Sequence, residues 1–172
     1  MSVSNSFAKL IERIQPTDAE TENALTHAEQ IKTRLKQSYN LRKLFSAGSF
    51  PRQTYVHGSS DIDVFAVFAR DDMRWGDRYV NSSTALGNLK KELEARYPLS
   101  TVYRDVHAIV VGFSDGVMVD VVPASFHGMT QQNWPIYKMP DGSGNWMLTS
   151  PELHARYIKE ADDKGVGMSR LS

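Results

Sequence analysis

The stretch Gly58-Ser59-Ser60-Asp61-Ile62-Asp63-Val64-Phe65-Ala66-Val67-Phe68 decides how the rest of the chain is read. From Asp61 onward it is rich in Ile, Val and Phe, residues that suit a pleated, half-buried surface, so residues 61–68 predict a β-strand. Residues two apart in a strand share a face, so Asp61 and Asp63 project together. Two like charges this close repel, and a folded chain seldom keeps both ionised there without a compensating cation. Hard divalent ions take oxygen ligands and are the natural compensation.

A third acid stands in a second apolar stretch, Val117-Met118-Val119-Asp120-Val121-Val122. Met118, Asp120 and Val122 share one face of that strand, and Val117, Val119 and Val121 share the other. A lone acid in such a strand is not buried without a partner. If the two strands are neighbours, Asp61, Asp63 and Asp120 make a three-carboxylate cluster suited to two Mg²⁺ or Mn²⁺ ions. Upstream, Gly48-Ser49-Phe50-Pro51-Arg52-Gln53-Thr54 supplies the complementary half. Glycine lets the backbone come close to a phosphate, and Ser49 adds a hydroxyl donor. Arg52 is either a substrate contact or an anchor for its loop. Ser60 either caps the turn before the strand or touches phosphate. A Gly-Ser alone means nothing and an Asp-x-Asp alone is commonly a solvated strand end; their joint occurrence with Asp120 points to a site for a metal-bound nucleoside triphosphate.

Working outward, Asp18 to Tyr39 predicts a helix, with Leu25, Ala28, Ile31, Leu35 and Tyr39 as its apolar stripe and Thr17 as its cap. A shorter helix, Ser6 to Ile14, precedes it and is broken by Pro16. Lys32, Arg34, Lys36, Arg42 and Lys43 read as a solvated basic face. Phe45 to Ser49 leads into a turn-rich segment. Asp71 to Gly76 is a polar break, and Ser82 to Tyr97 predicts a second helix with Leu86, Leu89 and Leu93 in register. Val102 to Arg104, Ala108 to Phe113 and Val117 to Val122 predict further strands, with a hairpin turn at Ser114-Asp115-Gly116 and Pro123 as the end of the last. Gln131 to Gly144 reads as loop, Pro151 opens a final helix, and the tail from Gly165 reads as an exit from structure. The order predicts an α/β or α+β domain with a mixed, mainly antiparallel sheet of roughly five strands flanked by helices.

The composition sets outer bounds. Of 172 residues, 41% are hydrophobic and 23% charged, as in ordinary globular domains. No apolar run approaches the roughly 20 residues that span a bilayer. Met1 to Ser6 is mostly polar, so no secretory leader is expected, and the absence of cysteine excludes disulfides and thiolate zinc; both fit a cytoplasmic protein. Lys plus Arg and Asp plus Glu each total 20, so the formal charge is zero. A protein living on bulk nucleic acid carries a basic excess. Nucleic acid is therefore expected only as an acceptor or activator, whereas a small nucleotide is fully compatible.

The pattern Gly48-Ser49-Phe50 through Ser59-Ser60-Asp61-Ile62-Asp63, with the later strand residue Asp120, resembles the polymerase-β nucleotidyltransferase superfamily. Within it, the residues are most similar to oligoadenylate synthetases and the bacterial CD-NTases (cGAS/DncV-like enzymes). Asp141-Gly142-Ser143-Gly144-Asn145-Trp146 and Thr149-Ser150-Pro151-Glu152-Leu153-His154 resemble the CD-NTase segment after the palm, so the likeness runs from Leu41 to Lys159. It implies a palm fold, triphosphate binding at Gly48 and Ser49, metal binding at Asp61, Asp63 and Asp120, and a cyclic or linear oligonucleotide signal for antiphage defence. The expected organisation is one palm domain over 1–172, with N-terminal helices at 6–43, a catalytic core at 44–160 and a tail at 161–172. The family's C-terminal helical lobe is not expected here, which leaves a partner chain or the missing lobe to close the cleft.

Rival readings share the core: a CCA-adding enzyme acting on tRNA ends, a minimal nucleotidyltransferase modifying a protein, RNA or small molecule, and a palm that binds nucleotide without turnover. The remaining candidates read as structural. His27, His57, His107, His127 and His154 show no ligand spacing and predict surface or packing roles. Lys138 reads as a solvated loop lysine, Trp134 and Trp146 as covers for the core, and Asp115 as a turn residue.

Overall fold

The computed structural model describes residues 17–47 and 61–168, as backbone alone at 61 and 162–168. Helix α1 is Asp18–Ser38, followed by strand β1, Leu41–Ala47, and β2, Asp61–Phe68. A short 3₁₀ turn, Arg70–Met73, leads into β3 and β4, Arg74–Trp75 and Arg78–Tyr79. Helix α2 is Ser82–Arg96, and β5 and β6 are Thr101–Arg104 and Ile109–Gly112. Then come β7, Met118–Met129, β8, Pro135–Pro140, β9, Trp146–Thr149, and helix α3, Pro151–Met168. Gly48, Ser49, Arg52, Ser60, His57 and the expected helix Ser6 to Ile14 lie outside the described residues. Among the described residues, no helix is long and apolar enough to cross a membrane.

Helix α1 starts where its sequence signals a start. The Thr17 hydroxyl accepts from the Glu20 backbone N–H at 3.2 Å, and the Glu20 carboxylate accepts from the Thr17 N–H at 2.8 Å, a reciprocal capping box. Helix α2 is capped by the Asn81 side chain, which accepts from the Ser83 N–H at 2.9 Å. Ala24, Ala28, Ile31 and Leu35 of α1 and Ala85, Leu86, Leu89 and Leu93 of α2 are buried against one face of the sheet. Leu25, expected in that stripe, is instead half exposed, because the buried arc runs through Ala24.

The sheet is mixed and has seven strands, with β1-β2-β7-β6-β5 in order and β8 and β9 attached beyond β7. The β2–β7 pair is parallel and its other ladders are antiparallel. Several expectations need correcting here. The sheet exceeds five strands because β8 lies in a segment read as loop and β1 and β9 in stretches not read as strands. Residues 71–76, read as a polar break, carry the 3₁₀ turn and the start of the β3–β4 hairpin. Helix α3 runs on to Met168 through part of the expected tail.

Pro123 does not end its strand. Strand β6 pairs with residues 118–121 of β7, and β8 pairs with residues 125–129 on the same side. Pro123 falls in the gap between those two partners, where its missing N–H interrupts neither ladder. Residues 135–140 consequently form a strand that completes this edge. The helix-covered face of the sheet holds the larger core, in which Ile62, Val64, Val119 and Val121 are fully buried. Phe65, Val67, Ala108, Val122, Ala124 and Tyr137 form a smaller cluster on the other face.

Candidate active site

The alternation of β2 and β7 divides their residues between these two clusters. Ile62, Val64 and Ala66 point into the helix-covered core, so Asp63, Phe65 and Val67 belong to the opposite face. In β7, Val119 and Val121 enter the core, which leaves Asp120 and Val122 on the open face. Register then brings the acids together: Asp63 stands opposite Asp120, and Phe65 opposite Val122. Neighbouring strands lie about 4.8 Å apart, so these carboxylates start from adjacent backbone positions.

A cavity of about 310 Å³ opens above them, lined by Ala47, Asp63, Phe65, Asp105, His107 and Asp120 among others. It adjoins a second of about 420 Å³ between β1 and α3, which shares Ala47 and Phe65 with the first. The floor between them is aromatic. The Phe65 ring stacks on Phe45 at 5.5 Å, and Phe45 meets Tyr137 at 5.9 Å. Lys43 lies 4.3 Å over the Phe45 ring. The Glu152 carboxylate accepts from the Tyr137 hydroxyl at 2.8 Å and from the Lys43 ammonium at 2.9 Å, joining α3 to β8 and β1. Burial, then the hydrogen bond and negative charge of Glu152, push the Tyr137 hydroxyl far above its ordinary value. Tyr137 is thus a neutral, fixed donor.

The far wall is a turn held by a tight loop. Asp141 accepts from the backbone N–H groups of Ser143 and Asn145 at 2.8 and 2.9 Å and from the Ser143 hydroxyl at 2.7 Å. The hydrogen bonds from Ser143, through side chain and backbone, outweigh burial and hold its carboxyl below the usual range. Gly142 has φ +86°, and a Cβ there would lie 2.5 Å from Val106 Cγ1. A side chain would therefore be strained and would push the loop off the 105–107 turn. His107 donates from Nδ1 to the Pro140 carbonyl at 2.9 Å.

The donor set fits a hard cation by chemistry, since Asp63 and Asp120 offer carboxylate oxygens on one open face. Among the described residues, no three His, Asp or Glu side chains gather closely enough to hold an ion. The third carboxylate of the expected cluster belongs to Asp61, whose backbone alone is described. Gly48, Ser49, Arg52 and Ser60, expected at the triphosphate, lie outside the described residues.

Other sequence candidates divide clearly. Asp115 is a turn residue as expected, accepting from the Val117 N–H at 3.2 Å, and it also pairs with His27 at 2.8 Å. His27 stacks on Phe113 at 3.7 Å, a packing role. Trp146 covers the core beside Tyr79 and donates to the Val80 carbonyl at 2.7 Å. Lys138 is not a loop lysine: it lies in β8, 4.2 Å over the Tyr79 ring. Lys32, Arg34 and Lys43 of the basic stretch each pair with a carboxylate, Glu29, Glu92 and Glu152. The residues that sequence reasoning did not place near the acids are Asp105 and His107. They sit in a turn between two strands, and no local spacing reveals that the turn faces β2 and β7.

Comparison with known proteins agrees with this fold. Residues 1–162 match the family described as the Second Messenger Oligonucleotide or Dinucleotide Synthetase (SMODS) domain. A CCA-adding enzyme of Sulfurisphaera tokodaii is 28% identical over 95% of this chain and 35% of its own length. A probable cyclic nucleotide synthase of Bacillus cereus is 24% identical over 75% of this chain and 47% of its own length. The chain thus spans about a third to a half of these curated relatives. Among solved structures, the Bradyrhizobium diazoefficiens CD-NTase CdnG in complex with GTP superposes with a TM-score of 0.71 at 17% identity, over 87% of this chain and 44% of that one. The Escherichia coli MS115-1 CdnC in complex with HORMA superposes with a TM-score of 0.64 at 20% identity, over 91% and 49%. At such identities the likeness shows the fold, a nucleotidyltransferase palm. With the match over residues 1–162, the chain belongs to the SMODS domain family.

Proposed function

We propose that this chain is the palm of a metal-dependent nucleotidyltransferase that transfers a nucleoside monophosphate from a triphosphate to a hydroxyl, building a cyclic or linear oligonucleotide signal in cytoplasmic antiphage defence. The observation that carries the reading is the register of Asp63 with Asp120 on the open face of a parallel strand pair, beside a cavity. Asp61, Asp63 and Asp120 hold the two ions, and Gly48, Ser49, Arg52 and Ser60 receive the triphosphate. Bound Mg²⁺ or Mn²⁺ supplies charge neutralisation and polarises phosphoryl oxygen. Asp120 orients the attacking hydroxyl and takes up its proton, and the hydroxyl oxygen forms a bond to the α-phosphorus as the bond to the leaving pyrophosphate breaks. A partner chain or helical lobe covering the open face would exclude water from this step.

The test is incubation with labelled nucleoside triphosphates and Mg²⁺ or Mn²⁺, following pyrophosphate and resolving products. Oligonucleotide or cyclic products that disappear in Asp120→Asn are the expected outcome. Turnover undiminished in that variant would sink the reading. The similarity to a CCA-adding enzyme over 95% of the chain favours a second reading, in which the acceptor is an RNA 3′ end. Extension of an added tRNA, with no product from nucleotides alone, would select it.

A further inference from the structure

The cavity over Asp63 and Asp120 has a polar wall that the proposed chemistry does not use. His107 lines it together with Asp105. The imidazole is half-buried, and its Nδ1 lies 2.9 Å from the Pro140 carbonyl oxygen. A carbonyl oxygen only accepts, so Nδ1 carries the proton. In the neutral ring, Nε2 is then an acceptor. The ring's place is set from behind, because the 141–145 loop presses on the 105–107 turn with Gly142 at the contact.

Among the described residues, the polar side chains lining this cavity are the carboxylates of Asp63, Asp105 and Asp120 and the imidazole of His107. Ionised carboxylates only accept, and so does Nε2. With Asp63 and Asp120 given to the ions, Asp105 and the neutral His107 ring remain as acceptors matched by a ligand that brings hydrogen-bond donors, and the donors on a nucleotide near its reacting phosphate are sugar hydroxyls. We infer that His107 is a substrate-contacting residue whose Nε2 accepts a hydrogen bond from a ribose hydroxyl of the nucleotide held at Asp63 and Asp120. This rests on the nucleotide site proposed above.

Two isosteric variants separate this role from the tether to Pro140. His107→Asn keeps an amide N–H near the Nδ1 position and removes Nε2. His107→Gln places an amide oxygen near the Nε2 position. Affinity is measured in Mg²⁺ for ATP and for its 2′,3′-dideoxy analogue, with thermal melting as the check on folding. The wild-type chain is expected to prefer the ribonucleotide by about tenfold, the value of one hydrogen bond. His107→Asn is expected to melt normally and bind both alike, and His107→Gln to regain part of the preference. In the wild-type protein, the His107 ring-proton resonances should shift with ATP and stay put with the dideoxy analogue. A preference unchanged in a folded His107→Asn, or resonances that ignore the hydroxyls, overturns the inference. The control is Asp63→Asn with Asp120→Asn. If that pair still binds both nucleotides in a Mg²⁺-dependent way, the nucleotide site itself is misplaced; if it does not, an unchanged His107→Asn condemns the His107 contact alone.

Discussion

The two faces of the β2–β7 pair are built from alternate residues of the same strands, yet they obey different rules. On the covered face, Ile62, Val64, Val119 and Val121 meet two helices and are fully buried. On the open face, Asp63 and Asp120 stand side by side in register, and a small aromatic cluster ends where they begin. Burial of apolar area contributes about 25 cal/mol per Å² on the first face. Adjacent carboxylates on the second repel when both are ionised. One face of the pair stabilises the domain and the other carries its acids.

That contrast can be broken at either face. The largest effect is expected at Asp63. Asp63→Asn should lower turnover by about 10²–10³-fold, since loss of metal-based charge stabilisation is worth several kcal/mol at about 1.4 kcal/mol per tenfold. The metal-free variant should melt at or above the wild-type temperature. A melting point lowered by many degrees would show that Asp63 is structural and that the two faces do not differ as described.

Next in size is Leu93→Ala, at a fully buried position of α2 facing the covered side. It should cost about 2–5 kcal/mol, with each kcal/mol lowering Tm by about 2–4 °C for a domain of this size. Nucleotide affinity of the folded fraction should stay near wild type, measured by titration well below the melting point. Equal losses of affinity and stability would mean that the faces are coupled.

The smallest effect lies at the hairpin end of the sheet. Burial raises the Asp115 carboxyl, but the hydrogen bonds from His27 and from the Val117 backbone outweigh it, and the net shift is downward from 3.8. A depressed folded value stabilises above the unfolded one and is lost as pH falls through the folded one. Asp115→Asn should therefore melt slightly below wild type at pH 6, and the gap should close as pH drops below 4. A gap independent of pH would assign the contribution to turn geometry instead.

Legibility in the sequence followed the range of the interaction involved. Thr17 announced the α1 start because a cap closes within one turn of chain. Leu86, Leu89 and Leu93 announced α2 because a helix repeats its own period. The Asp61-Ile62-Asp63 alternation announced a shared face for the same reason. Strand β8 was illegible, since its partner residues lie in the far half of β7, beyond a proline that reads locally as a stop. Leu25 was misassigned because a stripe of spacing three or four admits two neighbouring arcs, and the sheet beneath selects one.

The chain by itself therefore determined its helices, the β2 and β7 alternation and three candidate carboxylates, all properties of local period and residue chemistry. Only the tertiary structure decided that Asp63 lies opposite Asp120, that Pro123 occupies a gap between two partners, and that His107 and Asp105 wall the same cavity. The reason is that strand register and turn placement are set by contacts between residues far apart in sequence, which no local pattern encodes.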